Sequence, residues 1–385
     1  MTRARNPFRA TLGATPPLLV GRNEAVQNFA FALDDGPGAH ERISLIVGPR
    51  GIGKTVLLNA FEDTAQEHGW FVISETATQG FVERIRSEII RRLARQRSQL
   101  KGLGLSIFGV GGSVTWDSSS ISETSYSLRN ALDDYLAYKA DLDRSAGQPA
   151  SGVLITLDEM HHQRNDELIE FGATVQHLVR EGKDIAVAMA GIPSAIKPLL
   201  SSRTSESEGP NPITFLRRAE RIELDRVSDD DVRLALETPL AEAEITWTHE
   251  ALETAVNSCQ GYPFMIQLVG QWAFREAQGR SITREAAERG ADKARRKLGQ
   301  LVHEPALADL SDVDRSFLIF MARDDGPTEI ADLKARFGRS DSYVSNYRRR
   351  LIDAEMIVEA GRGRIDFALP YLREYLREHA ASLVD

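Results

Sequence analysis

Apolar and polar positions follow three successive regimes along the chain. The first has short apolar runs bounded by turn residues: ISLIV (43–47), WFVIS (70–74), VLITL (153–157) and IAVAMA (185–190). Such runs mark strands buried on both faces, and the helical spacing between them predicts a parallel sheet between two helical layers. A further short strand is expected within 212–236, between paired arginines and a capped helix. From Ser228 the pattern turns helical. Ser228 caps a helix whose first turn holds Asp229, Asp230 and Asp231, and helices near 249–258, 263–278 and 283–298 follow.

The third regime starts at Ser311, where Ser311 and Asp314 form a capping box for SDVDRSFLIFMAR. TEIADLKARFG ends at Gly338 in a C-cap position. SDSYVSNYRRRL comes next, capped by Ser340 or Asp341. Ile365, Phe367 and Leu369 then alternate after a turn at Gly361-Arg362-Gly363-Arg364, which reads as a hairpin. A last helix starts near Tyr371. The expected organisation is a flexible arm (1–17), an α/β core (18–224), a helical lid (225–300), a linker (301–310) and a C-terminal domain (311–385).

Composition narrows the setting. A single cysteine, Cys259, excludes an internal disulfide framework and a cysteine-built zinc site. No apolar run approaches the roughly 18 residues that span a bilayer, and MTRARNPFRATLGATPP lacks an apolar signal region. A cytoplasmic protein without membrane contact is expected. The net charge of −9 argues against a uniformly basic coat but allows a local basic patch.

The chemistry concentrates at GPRGIGKT, Gly48 to Thr55, which has an apolar strand before it and a helix after. Gly48, Gly51 and Gly53 let the backbone curl so that its N–H groups face phosphates, with Pro49, Arg50, Ile52 and Val56 completing the loop. Lys54 can reach the β- and γ-phosphates, and the Thr55 hydroxyl can ligate Mg²⁺. The second motif is VLITLDEMHH, where a buried strand delivers Asp158 and Glu159. Lying beside the phosphate-loop strand, it would let Asp158 hold Mg²⁺ through water and Glu159 activate the attacking water. ATP and Mg²⁺ are the expected cofactors. His161 and His162 are adjacent, so their side chains point apart and a structural role is preferred over metal binding.

With PPLLVGRNEAV upstream, IAVAMAGIPSAIKPLL, PITFLRRAERIELDRVSDDDVRLAL and CQGYPFMIQLVG, the chain resembles AAA+ ATPases of the replication-initiator (origin-recognition-like) group over about residues 16–300. It is also similar to transposition-target ATPases and to STAND signalling ATPases. The resemblance implies a P-loop three-layer core with Val20, Gly21 and Arg22 bordering the adenine. It also implies an arginine finger, Arg217 or Arg218, given to a neighbouring subunit's ATP, so that hydrolysis depends on assembly into a homo-oligomer. An ion pair with Glu220 or Glu223 is the competing reading for these arginines. Two departures stand out. The first-sensor strand tip is Met189-Ala190-Gly191, with Ser194 the nearest polar residue. No second-sensor arginine follows Gly261-Tyr262-Pro263, which looks like the Gly-x-Pro motif of STAND ATPases and places Pro263 at the nucleotide. Slow hydrolysis is the expectation.

Residues 311–385 resemble a winged helix-turn-helix. At 100° per residue Val344, Tyr347 and Leu351 share one buried stripe, while Ser342, Asn346 and Arg349 cluster opposite. Asn and Arg are base-reading types, so contact with double-stranded DNA is expected there. Arg350 flanks that face as a phosphate contact, Arg362 and Arg364 sit on the wing, and Arg348 lies along the core edge. A protein partner is the other reading of this module. Upstream, Phe81 to Lys101 carries seven Lys/Arg against two Glu and runs into a Gly/Ser-rich insertion at 101–123, either a solvated segment or a DNA-contacting hairpin.

Overall fold

The computed structural model describes residues 5–11, 13–102, 126–160, 165–193, 196, 200, 214–277 and 279–380. His161, His162, Ser194 and the insertion after residue 102 lie outside them.

Five parallel strands form the core sheet: β1 (Ile43–Val47), β2 (Phe71–Thr76), β3 (Val153–Asp158), β4 (Ile185–Gly191) and β5 (Glu220–Glu223). Their order is β2-β3-β4-β1-β5. The Asp158 strand was expected beside the phosphate-loop strand, and this is corrected: β4 lies between them, pairing Leu45 with Met189 on one side and Leu157 with Met189 on the other. β4 is buried at every position, which explains its run of small and apolar residues. The insertion of β4 makes neighbouring crossovers leave in different directions, which opens a crevice at the carboxyl ends of the strands.

Helices cover both faces. Asn23–Asp35 and Lys54–Glu67 stack Phe29 on Phe61 at 4.2 Å on one side. Phe81–Gly102, Leu128–Ala146 and Asn165–Arg180 cover the other, where Phe81 meets Phe171 edge to face. The apolar stripe Phe81, Ile85, Ile89 and Leu93 is buried as its spacing predicts.

The lid comprises Asp229–Ala241, His249–Cys259, Pro263–Glu276 and Arg284–Leu298, with the two-residue strands β6 (Thr246–Trp247) and β7 (Ser281–Ile282). Ser228 accepts from the Asp231 N–H as an N-cap. Where a linker was expected, helical backbone continues from Arg284–Leu298 through a π-turn at Gly299–His303 into Glu304–Ala308.

The C-terminal region contains helices Asp312–Met321, Ile330–Phe337, Asp341–Asp353 and Leu372–His379 with strands β8 (Thr328–Glu329), β9 (Ile357–Glu359) and β10 (Arg364–Phe367). The capping box of Ser311 and Asp314 forms, and Gly338 ends its helix at φ 58°. The hairpin β9–β10 gains a third strand, β8, paired with β10. Two residues are too few to show any periodicity, so the sequence pattern missed it.

The expectation of a flexible arm at 1–17 is also corrected from residue 5 onward. Phe8 is buried against Gly270, the Arg9 N–H donates to Gln267 Oε1 at 3.0 Å, and Asn59 donates to the Gly13 carbonyl. A lone Phe in a polar segment carries little sequence signal, yet a large ring seated on a glycine is enough to anchor a strand of backbone.

Candidate nucleotide site

The phosphate loop leaves β1 at Val47 and enters the Lys54–Glu67 helix through Gly53 at φ 98°, a left-handed conformation that favours glycine. Gly48 is equally constrained, since a Cβ there would lie 2.9 Å from both Ile52 Cγ2 and the Leu224 carbonyl. A cleft of about 740 Å³ opens at this loop. Of the residues assigned to the nucleotide, Val20, Arg22, Arg50, Gly51, Ile52, Gly53, Lys54, Thr55, Val56, Asp158, Glu159 and Pro263 line it together. Gly21, Gly48 and Pro49 stand behind it. Gly21 packs on Val227, and the Gly48 and Pro49 carbonyls accept from Lys54 Nζ at 2.6 and 2.9 Å. The docked arm adds Arg9, Thr11 and Ala14 to the wall, which sequence reasoning missed.

Thr55 Oγ1 donates to Asp158 Oδ2 at 2.5 Å. A hydroxyl and a carboxylate converging at the mouth of the loop are hard oxygen donors suited to Mg²⁺, directly or through water. Glu159 lines the cleft with φ 56°, and its N–H donates to Asp158 Oδ1 at 2.8 Å. Both carboxylates thus sit at the cleft, Asp158 on the Thr55 hydroxyl and Glu159 directly after the end of β3. Burial lowers the Lys54 pKa, opposed by the negative charges of Glu355 and Asp158.

Arg217 and Arg218 are exposed on the Thr214–Arg218 turn. Arg218 lines a groove with Ile43 and Ile185, the first residues of β1 and β4, at the opposite strand ends from the phosphate loop.

The lid and C-terminal region touch the loop at points the sequence did not reveal. Tyr262 Oη donates to the Arg50 carbonyl at 2.7 Å and fills the space over Gly51. Glu355 Oε2 accepts from the Arg50 N–H at 3.2 Å. Gly261-Tyr262-Pro263 was visible as a motif, but a contact spanning 305 residues leaves no local signal.

On the Asp341–Asp353 helix, Ser342, Asn346 and Arg349 are exposed while Val344 and Leu351 are fully buried. Arg362 and Arg364 are exposed at the β9–β10 turn. Arg348 donates to Glu359 Oε1 at 2.5 Å. Arg350 does more than flank the surface: its Nη2 pairs at 2.7 Å with the buried Asp314, whose desolvated charge needs a partner.

The strand order, the phosphate loop and the Asp158 strand define the core as an AAA+ P-loop α/β fold. Residues 18–186 match the profile of the AAA ATPase domain, and residues 300–376 match a domain of unknown function (DUF8462). Among solved structures, the Walker-type ATPase PABY2304 of Pyrococcus abyssi is similar at a TM-score of 0.65 and 16% identity, over 93% of this chain and 96% of that one. Looser likenesses, which bear no weight here, are Cdc6p of Pyrobaculum aerophilum (TM-score 0.44, 16% identity, 97% of each chain) and the RuvB Holliday junction branch migration motor of Thermotoga maritima (0.43, 15%, 93% and 95%). No curated protein matches the chain. Among the described residues, no helix is long and apolar enough to cross a membrane.

Proposed function

We propose that this chain is an ATP-binding and slowly hydrolysing AAA+ switch. It assembles on ATP and engages double-stranded DNA through a C-terminal winged helix, in a replication-initiation, plasmid or mobile-element type role. Lys54 contacts the phosphates, Thr55 and Asp158 hold Mg²⁺, and Glu159 positions water. Arg217 or Arg218, exposed on a turn at the far strand ends from their own loop, serves as an arginine finger to a neighbouring subunit's nucleotide.

The observation carrying the DNA reading is the exposure of Ser342, Asn346 and Arg349 on the helix face away from the buried Val344 and Leu351, together with the exposed Arg362 and Arg364 at the β9–β10 turn. Arg350, committed to Asp314, contributes less than Arg349. The test is duplex-DNA affinity across a salt series. The double variant Arg349→Ala, Arg364→Ala should reduce the salt slope by roughly one, for the wing contact of Arg364, and cost about 1–3 kcal/mol with relaxed sequence preference for the base contact of Arg349. An unchanged affinity and slope would sink the assignment.

A second reading, a STAND-like signalling ATPase whose winged helix is a regulatory protein-interaction module, is supported by the contacts of Tyr262 and Glu355 with the loop. A DNA-coating transposition-target ATPase is a third reading. On its basic helix Arg84, Arg86 and Arg91 are held by Glu75, Glu83 and Glu88.

A further inference from the structure

Arg50 is gripped on both its backbone groups by elements from outside the core. Its carbonyl accepts from Tyr262 of the lid, and its N–H donates to Glu355 of the C-terminal region. Its side chain approaches Asp309 at 3.8 Å. Glu355 is 7% exposed, and its Oε1 has no hydrogen-bond partner among the described residues. Its φ of 59° is a conformation that residues other than Gly and Asn adopt at a cost. A half-satisfied, buried carboxylate in a left-handed backbone serves stability poorly. Such features persist where the surroundings hold them for another reason.

The positive charge facing Glu355 belongs to Lys54 and Arg50, both residues of the phosphate loop. These are also the charges that the phosphates of a nucleotide would use. A triphosphate at Lys54 would remove the counter-charge of Glu355 and add like charge nearby, in surroundings where screening is weak.

We propose that Glu355 is a latch between the C-terminal module and the phosphate loop, so that docking of the module and binding of a nucleoside triphosphate oppose each other. The proposal rests on reading the loop as an ATP site. Coupling of this kind is reciprocal: if ATP loosens the module, the docked module weakens ATP. Tyr262 holds the Arg50 carbonyl of the same turn from the lid.

Glu355→Gln keeps the shape and the acceptor for the Arg50 N–H but removes the charge. ATP affinity is measured by calorimetry on full-length wild type and variant, together with amide exchange over 355–359 with and without ATP. The variant should bind ATP at least about fivefold tighter, the lower end of ordinary allosteric coupling. In wild type, saturating ATP should raise exchange at 355–359. Should Gln impair folding, Glu355→Gly relieves the left-handed backbone, removes the same charge and should show the same tightening. ATP affinity within twofold of wild type, or exchange at 355–359 indifferent to ATP, overturns the latch alone. A folded wild type that binds no ATP overturns the nucleotide reading and the latch with it.

Discussion

Thr55 and Asp158 are joined by a 2.5 Å hydrogen bond although an entire strand, β4, separates the strands that carry them. The loop after β1 must arch over the tip of β4 to reach Asp158. That tip is Gly191, where a Cβ would lie 2.9 Å from Met160 Cβ and Ile196 Cδ1. The small residue at this strand tip, a departure from the polar sensor common in such ATPases, is therefore explained by space.

This pair gives the first prediction. Asp158→Asn keeps the size and loses the charge, and should weaken the apparent Mg²⁺ affinity of ATP hydrolysis by roughly 10–100-fold. Glu159→Gln should instead leave nucleotide binding near wild type and lower turnover by about 10²–10⁴-fold, the range of a lost general base. Steady-state hydrolysis with Mg²⁺ titration separates them. Equal losses of binding in both would refute the division of labour. A wild-type turnover above about 10 s⁻¹, the median enzyme rate, would count against a slow switch.

The second prediction concerns pH. Burial pushes the Glu355 carboxyl up to about 7 and the buried His303 down to about 4. His303 Nε2 lies 2.9 Å from the Pro370 carbonyl, which calls for a proton there, and Nδ1 is buried without a partner among the described residues. For Glu355 the raised folded-state value means its stabilisation is full below about pH 4.5 and lost as pH rises through about 7. For His303 the lowered value means stabilisation is present above about pH 6.5 and lost as pH falls toward about 4. The two effects oppose each other between about pH 4.5 and 6.5, so melting temperatures from about pH 4.5 to 8 should rise more steeply with pH than wild type in Glu355→Gln and less steeply in His303→Gln. Curves parallel to wild type would disprove both assignments.

The third prediction concerns the docked arm. Phe8→Ala should cost about 3 kcal/mol, the lower end for a buried aromatic. Gly270→Ala should expel the ring without leaving a cavity, because the new methyl would lie 2.4 Å from Phe8 Cε1. Both variants should expose residues 5–17 to protease and weaken nucleotide binding, since Arg9 and Ala14 line the cleft. Cleavage at the wild-type rate would show that the arm is not held through Phe8.

Features that depend on a few consecutive residues were legible in the sequence. The phosphate loop, the Asp158-Glu159 strand end, the caps at Ser228 and Ser311, and the alternating Ile365 and Phe367 each carry their physics locally. The strand order was not legible, because an all-apolar strand pairs equally well with either neighbour until crossover geometry decides. Nor were the partners of Arg350 and Glu355, since a surface-looking charge shows its buried counterpart only after folding. The arm failed for the opposite reason: one phenylalanine among polar residues looks like noise until Gly270 provides its seat.

The unbroken helical backbone from Arg284 to Ala308 bears on how the two ends of the molecule can move. A module hung on a flexible string samples many orientations. One mounted on an axle turns only with what drives the axle, here the lid helix itself. The slack positions are then few: the π-turn at Gly299–His303, where Gly299 leaves room for the Tyr375 ring, and the short link after Ala308. Movements of the C-terminal domain should therefore fall into a small set of discrete poses tied to lid angle, and anything it grips would be presented to the ATPase at a fixed bearing.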